Sequence, residues 1–223
     1  ILPNAAQAVQ LDEAADVLRG VFERLSDLNE MGILAGRLDL DRVVLGGHSS
    51  GGALVLINGD DELLPGVVGV FTYASHLAAG PFVGFPPDSV INLTSTVPTL
   101  LMGGTKDGVI SSLSFRYGRE WNYPTEPIER TFNEAFPAEK PSYFIEFNGF
   151  NHLAMVDPID STVGSGFNDS RSDFGKDVMK EQLAEVISLF VKERVFENEQ
   201  AMEGLKGMAN SPSFYIKHAE FHS

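Results

Sequence analysis

The chain has 223 residues, 43% apolar and 21% charged, which is the composition of a folded globular protein and the length of one domain with a sizeable core. Sixteen Lys and Arg against 31 Asp and Glu leave a formal net charge of −15, which argues against nucleic acid or an anionic membrane surface as partner, since both need a basic face. There is no cysteine, which excludes disulfides, thiolate metal ligands and a cysteine nucleophile, and no apolar run reaches the ~18 residues of a transmembrane helix.

Residues 8–31 read as an amphipathic helix, with Leu18, Val21, Phe22, Leu25 and Leu28 at three- and four-residue spacing and Gly32 as its stop. After a polar link, Arg42 to Gly47 reads as a short buried strand and Ser50 to Asn58 as a helix of small residues. The apolar runs Val67 to Tyr73, Val97 to Met102 and Ser142 to Phe147 are further strands; Pro98 stands near an entrance, where a missing N–H is tolerated. Residues 111–141 form a polar insertion carrying Tyr117, Trp121, Tyr123 and Phe132, which either faces substrate as a lid or packs on the sheet. Residues 174–196 make a second amphipathic helix, and 197–223 read as a polar, weakly patterned tail. Apolar runs alternating with helices predict an α/β fold with a mostly parallel sheet flanked by helices.

The sharpest local signal is Gly47-His48-Ser49-Ser50-Gly51, followed by Gly52, which fits G-x-S-x-G between a strand and a helix. A serine at the tip of so tight a turn has a strained backbone, and strand and helix converge beside it, so very small residues are expected at Gly47 and Gly51. A P-loop would need a Lys that is absent here, and the spacing does not match a dinucleotide turn.

A serine hydroxyl needs a base within hydrogen-bond reach, and the base needs an orienting acid. Of the five histidines, His152 follows the last apolar strand, at the carboxyl end where open α/β sheets place their chemistry. His218 and His222 lie in the tail. His48 adjoins the serine, so its ring points elsewhere in the turn; together with His76 and Trp121 it is a candidate for the substrate pocket. His76 also reads as an ordinary surface or satisfied histidine. Asp107 directly follows the strand ending at Met102 and precedes His152, whereas Asp157 and Asp160 come after the histidine and break the order Ser, Asp, His.

With these three pieces in order, the chain resembles the α/β-hydrolase superfamily over roughly residues 8–196. Gly47 to Gly52 looks like its nucleophile elbow, Gly103 to Ile110 like its acid turn, and Gly149 to His152 like its histidine loop. The G-H-S-x-G-G form looks most like the branch of dienelactone hydrolases, platelet-activating-factor acetylhydrolases, chlorophyllases and polyester hydrolases, although dienelactone hydrolases proper use a cysteine. The resemblance implies a serine carboxylester hydrolase without cofactor or metal, acting on an ester with an apolar part. Ser49 would be acylated, His152 would be the base, Asp107 would orient it, and the Ser50 backbone N–H would supply one oxyanion donor, each such donor contributing about 3–4 kcal/mol. An acyltransferase on the same triad and a non-catalytic binding protein on the same scaffold are the alternatives.

Family members place about four strands before the elbow strand and take a second oxyanion donor from that region. Here 41 residues precede Arg42, most of them one helix, and the first residue is Ile1. The expectation is therefore a C-terminal part of a hydrolase domain, with an N-terminal fragment of the same precursor as a partner.

Overall fold

The computed structural model describes residues 5–60, 62–95, 97–137, 140–158, 168–210 and 213–222; Asp160 lies outside them. The strands are β1 Val43–His48, β2 Val67–Tyr73, the short β3 Ala78–Ala79 and β4 Ser89–Val90, β5 Thr99–Gly104, β6 Ser142–Phe147 and β7 Ile216–His222. The helices are α1 Ala5–Met31, α2 Ser50–Asn58, α3 Gly108–Ser112, α4 Glu126–Glu134, α5 Lys176–Phe196 and α6 Glu199–Asn210. All four strands expected from the apolar runs form within two residues of their expected bounds.

The main sheet runs β1-β2-β5-β6-β7, the first four strands parallel and β7 antiparallel to β6. Helices cover both faces, and the two-residue period shows which. Gly69 on β2 faces Phe190 and Arg194 of α5, while its neighbour Val70 faces Gly59 at the end of α2. On β6, Tyr143 meets Phe190 and Phe144 meets Phe132 of α4. So α2 and α4 lie on one face and α5 on the other. β5 and β6 are buried at every position, which explains their near-continuous apolar sequences.

β1 is buried nowhere along its length. Among the described residues it pairs only with β2, and no strand precedes it in the sheet. Leu18 and Phe22 of α1 rest against the core, while Val17 and Val21 point outward. No helix among the described residues is long and apolar enough to cross a membrane.

The expected polar tail needs correction. Residues 199–210 form α6, which packs on α5 through the buried Ala201 and Leu205, and β7 completes the sheet with Ile216 and Ala219 buried. The strand escaped notice because its register slips opposite Glu146 and Phe147, which breaks the apolar alternation that would reveal it. The 111–141 insertion is corrected in part as well. Its helix α4 packs on the sheet with Ile128 and Phe132 buried, so Phe132 is core and not substrate-facing, and Tyr123 bonds Glu129 near the surface.

If α6 belongs to the core, Leu205→Ala lowers unfolding free energy by about 2–5 kcal/mol in urea titrations; an appended tail would leave it unchanged.

Candidate active site

Ser49 stands between the last residue of β1 and the first of α2 with φ 53° and ψ −129°, a left-handed backbone that a residue with a side chain rarely adopts. Close packing holds it there. A Cβ on Gly47 would lie 2.5 Å from the Gly51 carbonyl oxygen, and one on Gly52 would lie 2.4 Å from Ser75 Cβ. Gly51, by contrast, has open space around it, so the second small residue the turn requires is Gly52, not Gly51. Ser49 N–H donates to the Tyr73 carbonyl at 3.1 Å, and the Ser49 carbonyl accepts from Gly52 and Ala53. The Ser50 N–H belongs to the first turn of α2, where no carbonyl precedes it to accept within the helix.

Asp107 caps α3: its Oδ1 accepts from the Ile110 N–H at 2.8 Å. Its Oδ2 lies 2.8 Å from His152 Nδ1, and both side chains are buried. That bond places the proton on Nδ1 and leaves Nε2 as the free acceptor. Asp157, the acid after the histidine, is engaged by Lys176 and Lys180 instead.

Three further groups hold the histidine loop. His48 Nε2 lies 2.9 Å from the His152 carbonyl, the Tyr73 hydroxyl donates to the Asn151 carbonyl at 2.6 Å, and the Asp169 carboxylate gathers several backbone donors. Asp169 Oδ1 accepts from Gly108 N–H at 3.2 Å and His152 N–H at 3.1 Å, and Oδ2 accepts from Leu153 N–H at 3.1 Å. One carboxylate thus ties the acid turn to the histidine loop. Burial, and then the neighbouring His152, push the His48 imidazole below its ordinary range, and burial raises the Tyr73 hydroxyl well above its own. Both stay neutral near pH 7.

Ser49 and His152 line one cavity of about 500 Å³, with Ser50, Ser75, His76, Arg116 and Tyr117 also on its wall. Most of the remaining lining is apolar, including Ile57, Leu77, Phe85, Ile91, Val109 and Leu113. No hydrogen bond joins Ser49 Oγ to His152. The His76 ring packs edge-on against Tyr117 and Trp121, and its Nδ1 and the Ser75 hydroxyl are buried without a hydrogen-bond partner. Burial lowers the His76 pKa to about 4. The Leu77 N–H bonds Thr131 Oγ1 at 2.8 Å, so α4 anchors this wall.

Of the residues read from sequence, Ser49, Ser50, His76 and His152 line the cavity, and Asp107 lies behind His152. Two pocket assignments are corrected. His48 is bonded to the histidine loop and does not line the cavity. Trp121 packs edge-on against His76 and at a tilt against Tyr117, and it is not among the residues on the cavity wall. Sequence reasoning missed Asp169, Tyr73 and Arg116. The only signal for Asp169 was its place in an Asn-Asp-Ser turn, and a carboxylate serving backbone donors 16 and 17 residues away leaves no motif.

Compared with known proteins, the chain matches no family model and no curated sequence.

Two outcomes follow from this geometry. Asp169→Ala leaves backbone donors of both turns unpaired, so it lowers stability by about 2–3 kcal/mol in urea melts, with Asp169→Asn intermediate. His76 is neutral in the fold down to about pH 4, whereas in the unfolded chain it protonates near 6.5. The unfolded state therefore binds more protons between these values, and stability is lost as pH falls from 6.5 toward 4. His76→Leu flattens that limb of the stability–pH curve; an unchanged slope would show that His76 does not contribute to it.

Proposed function

We propose that the protein is a serine carboxylester hydrolase of the α/β-hydrolase type. The observation that carries this reading is the strained Ser49 at a strand-to-helix turn, sharing a cavity with a histidine whose Nδ1 is bonded to a buried aspartate, in the chain order Ser, Asp, His.

In this mechanism an ester enters the cavity and brings Ser49 Oγ and His152 Nε2 into contact, a bond that often tightens only with substrate present. Oγ attacks the carbonyl carbon while its proton passes to Nε2. Asp107 stabilises the resulting imidazolium and keeps its ring oriented. The carbonyl oxygen, now negative, accepts from the Ser50 N–H at the N-terminus of α2. As the tetrahedral species collapses, the C–O bond to the alcohol breaks and the alcohol oxygen takes the proton from His152. The acyl group is left on Ser49. A water molecule, deprotonated by His152, then attacks the acyl carbon, and its collapse releases the acid and returns the proton to Oγ. One ester and one water become one acid and one alcohol.

Three features support the assignment of the base. Its proton-bearing nitrogen is engaged, its partner acid is shielded from water, and its loop is held by His48, Tyr73 and Asp169. A fixed imidazole avoids the reorientation that a mobile one would need at each proton transfer.

Ser49→Ala abolishes hydrolysis of p-nitrophenyl esters and labelling by a fluorophosphonate. Asp107→Asn lowers kcat by about 10⁴-fold with little change in KM, because the imidazole then takes the wrong tautomer. Fluorophosphonate labelling that persists undiminished in Ser49→Ala would refute the nucleophile. A wild-type protein that never labels would favour a binding protein on the same scaffold.

A further inference from the structure

The chain contains 31 Asp and Glu, yet among the described residues none of them lines the cavity. The wall is mostly apolar, and among the described residues Arg116 is its one permanently charged side chain. Arg116 lies in the short 3-10 turn Ser114–Tyr117 of the insertion. Its guanidinium sits 4.9 Å from the centre of the Phe82 ring and 5.9 Å from that of Phe115. Both rings are exposed, at 65% and 70%. The guanidinium carbon lies within cation–π reach of both rings.

No carboxylate among the described residues pairs with Arg116. The two arginines that follow it in the insertion behave otherwise: Arg119 binds Asp88 and Glu126, and Arg130 binds Asp88 and Glu134. Asp88 and Glu126 are thus occupied by Arg119 and Arg130. On a chain with a net charge of −15, an exposed arginine on the cavity wall with no acidic partner among the described residues is placed to meet a charge brought from outside.

We propose that Arg116 receives a carboxylate at the far end of the substrate, which makes the substrate class esters with an apolar middle and a carboxylate terminus. This rests on the esterase reading of Ser49. A planar carboxylate matches the guanidinium fork through two parallel hydrogen bonds. A phosphate, carrying about −1.5 to −2 charges and three acceptor oxygens, would call for more than one cation, and the described residues of the wall supply a single one. The apolar lining of the same cavity, with Ile57, Leu77, Phe85, Ile91 and Leu113, suits a methylene chain or a small ring. The net charge repels anions only weakly at a distance, because salt screens it beyond about 8–10 Å, whereas the contact with Arg116 acts at short range.

The test compares p-nitrophenyl monoesters of succinic, glutaric, adipic and suberic acids with neutral p-nitrophenyl alkanoates of equal chain length. The expected result is a kcat/KM ratio of about tenfold or more in favour of the carboxylate-ended ester at one preferred length, falling as salt is raised. Arg116→Gln brings that ratio to about one, and Arg116→Lys, which keeps the charge and loses the fork, gives an intermediate value. A ratio of one or below in the wild type, or a ratio that survives Arg116→Gln, overturns the assignment and leaves the esterase reading standing. If the wild type hydrolyses neither series and resists fluorophosphonate, the esterase reading is what fails. A titration of Ser49→Ala with monomethyl and dimethyl adipate then decides the arginine by itself. Trp121, the only tryptophan, packs on His76 and Tyr117 of the cavity wall and reports binding by fluorescence. Tighter binding of the monoacid that Arg116→Gln removes supports the carboxylate site; equal binding of the two overturns it.

Discussion

The contact on which the site depends is the approach of α2 to β1 and to the end of β2. Gly47 and Gly52 let these backbones come closer than any Cβ would allow, and Ser49 is left in a left-handed conformation that costs about 1–3 kcal/mol. Such strain persists only where surrounding packing over-determines it. Here the Tyr73 carbonyl holds the Ser49 N–H, Ser75 lies against Gly52, and β2 is itself clamped between β1 and β5. The same turn puts Ser49 immediately before the first residue of α2, and Ser49 and Ser50 both line the cavity. Ala74, the residue after β2, also has positive φ and lines the same cavity, so two strained backbones meet at one place.

The second side of the site is a loop, and loops are ordinarily the least fixed part of a fold. This one is held through backbone atoms as much as through its histidine ring. Asp107 takes the ring, His48 and Tyr73 take two successive carbonyls, and Asp169 takes two successive N–H groups. The Asp107–His152 bond is buried and the other four are partly so, so losing a partner strands a polar group at least in part, and the loop has little freedom to wander. His48 contributes as a clamp on the loop bearing the proposed base, a use of the residue beside the serine that its position in the motif does not suggest.

The cavity differs sharply from the rest of the surface. The chain spends its many carboxylates on exposed faces, on helix-surface pairs and on the network of Asp88, Glu126 and Glu134 that braces the insertion. Among the described residues, no carboxylate lines the wall around Ser49. A low-polarity wall strengthens electrostatic contacts made away from water, which gives the buried Ser75 hydroxyl and His76 Nδ1 on it more weight than their number suggests.

The parallel sheet and the positions of Ser49, Asp107 and His152 were legible in the sequence because their signals are local. Fully buried strands are apolar along most of their length, a tight strand-to-helix turn is rich in glycine, and loop residues directly after parallel strands fall at one end of the sheet. By itself, then, the sequence determined a mixed α/β fold and the order of its three chemical groups. Whatever depends on contacts distant in the chain was decided by the tertiary structure. That includes the pairing of Asp107 with His152, the choice of Gly52 over Gly51, the clamp made by His48 and Asp169, the packing of Trp121 against His76, and the strand β7, whose register slip hides its alternation. The physical reason is that a hydrogen bond or a steric limit between residues tens of positions apart imposes no periodicity on either segment, so it becomes visible only once the chain has brought them together.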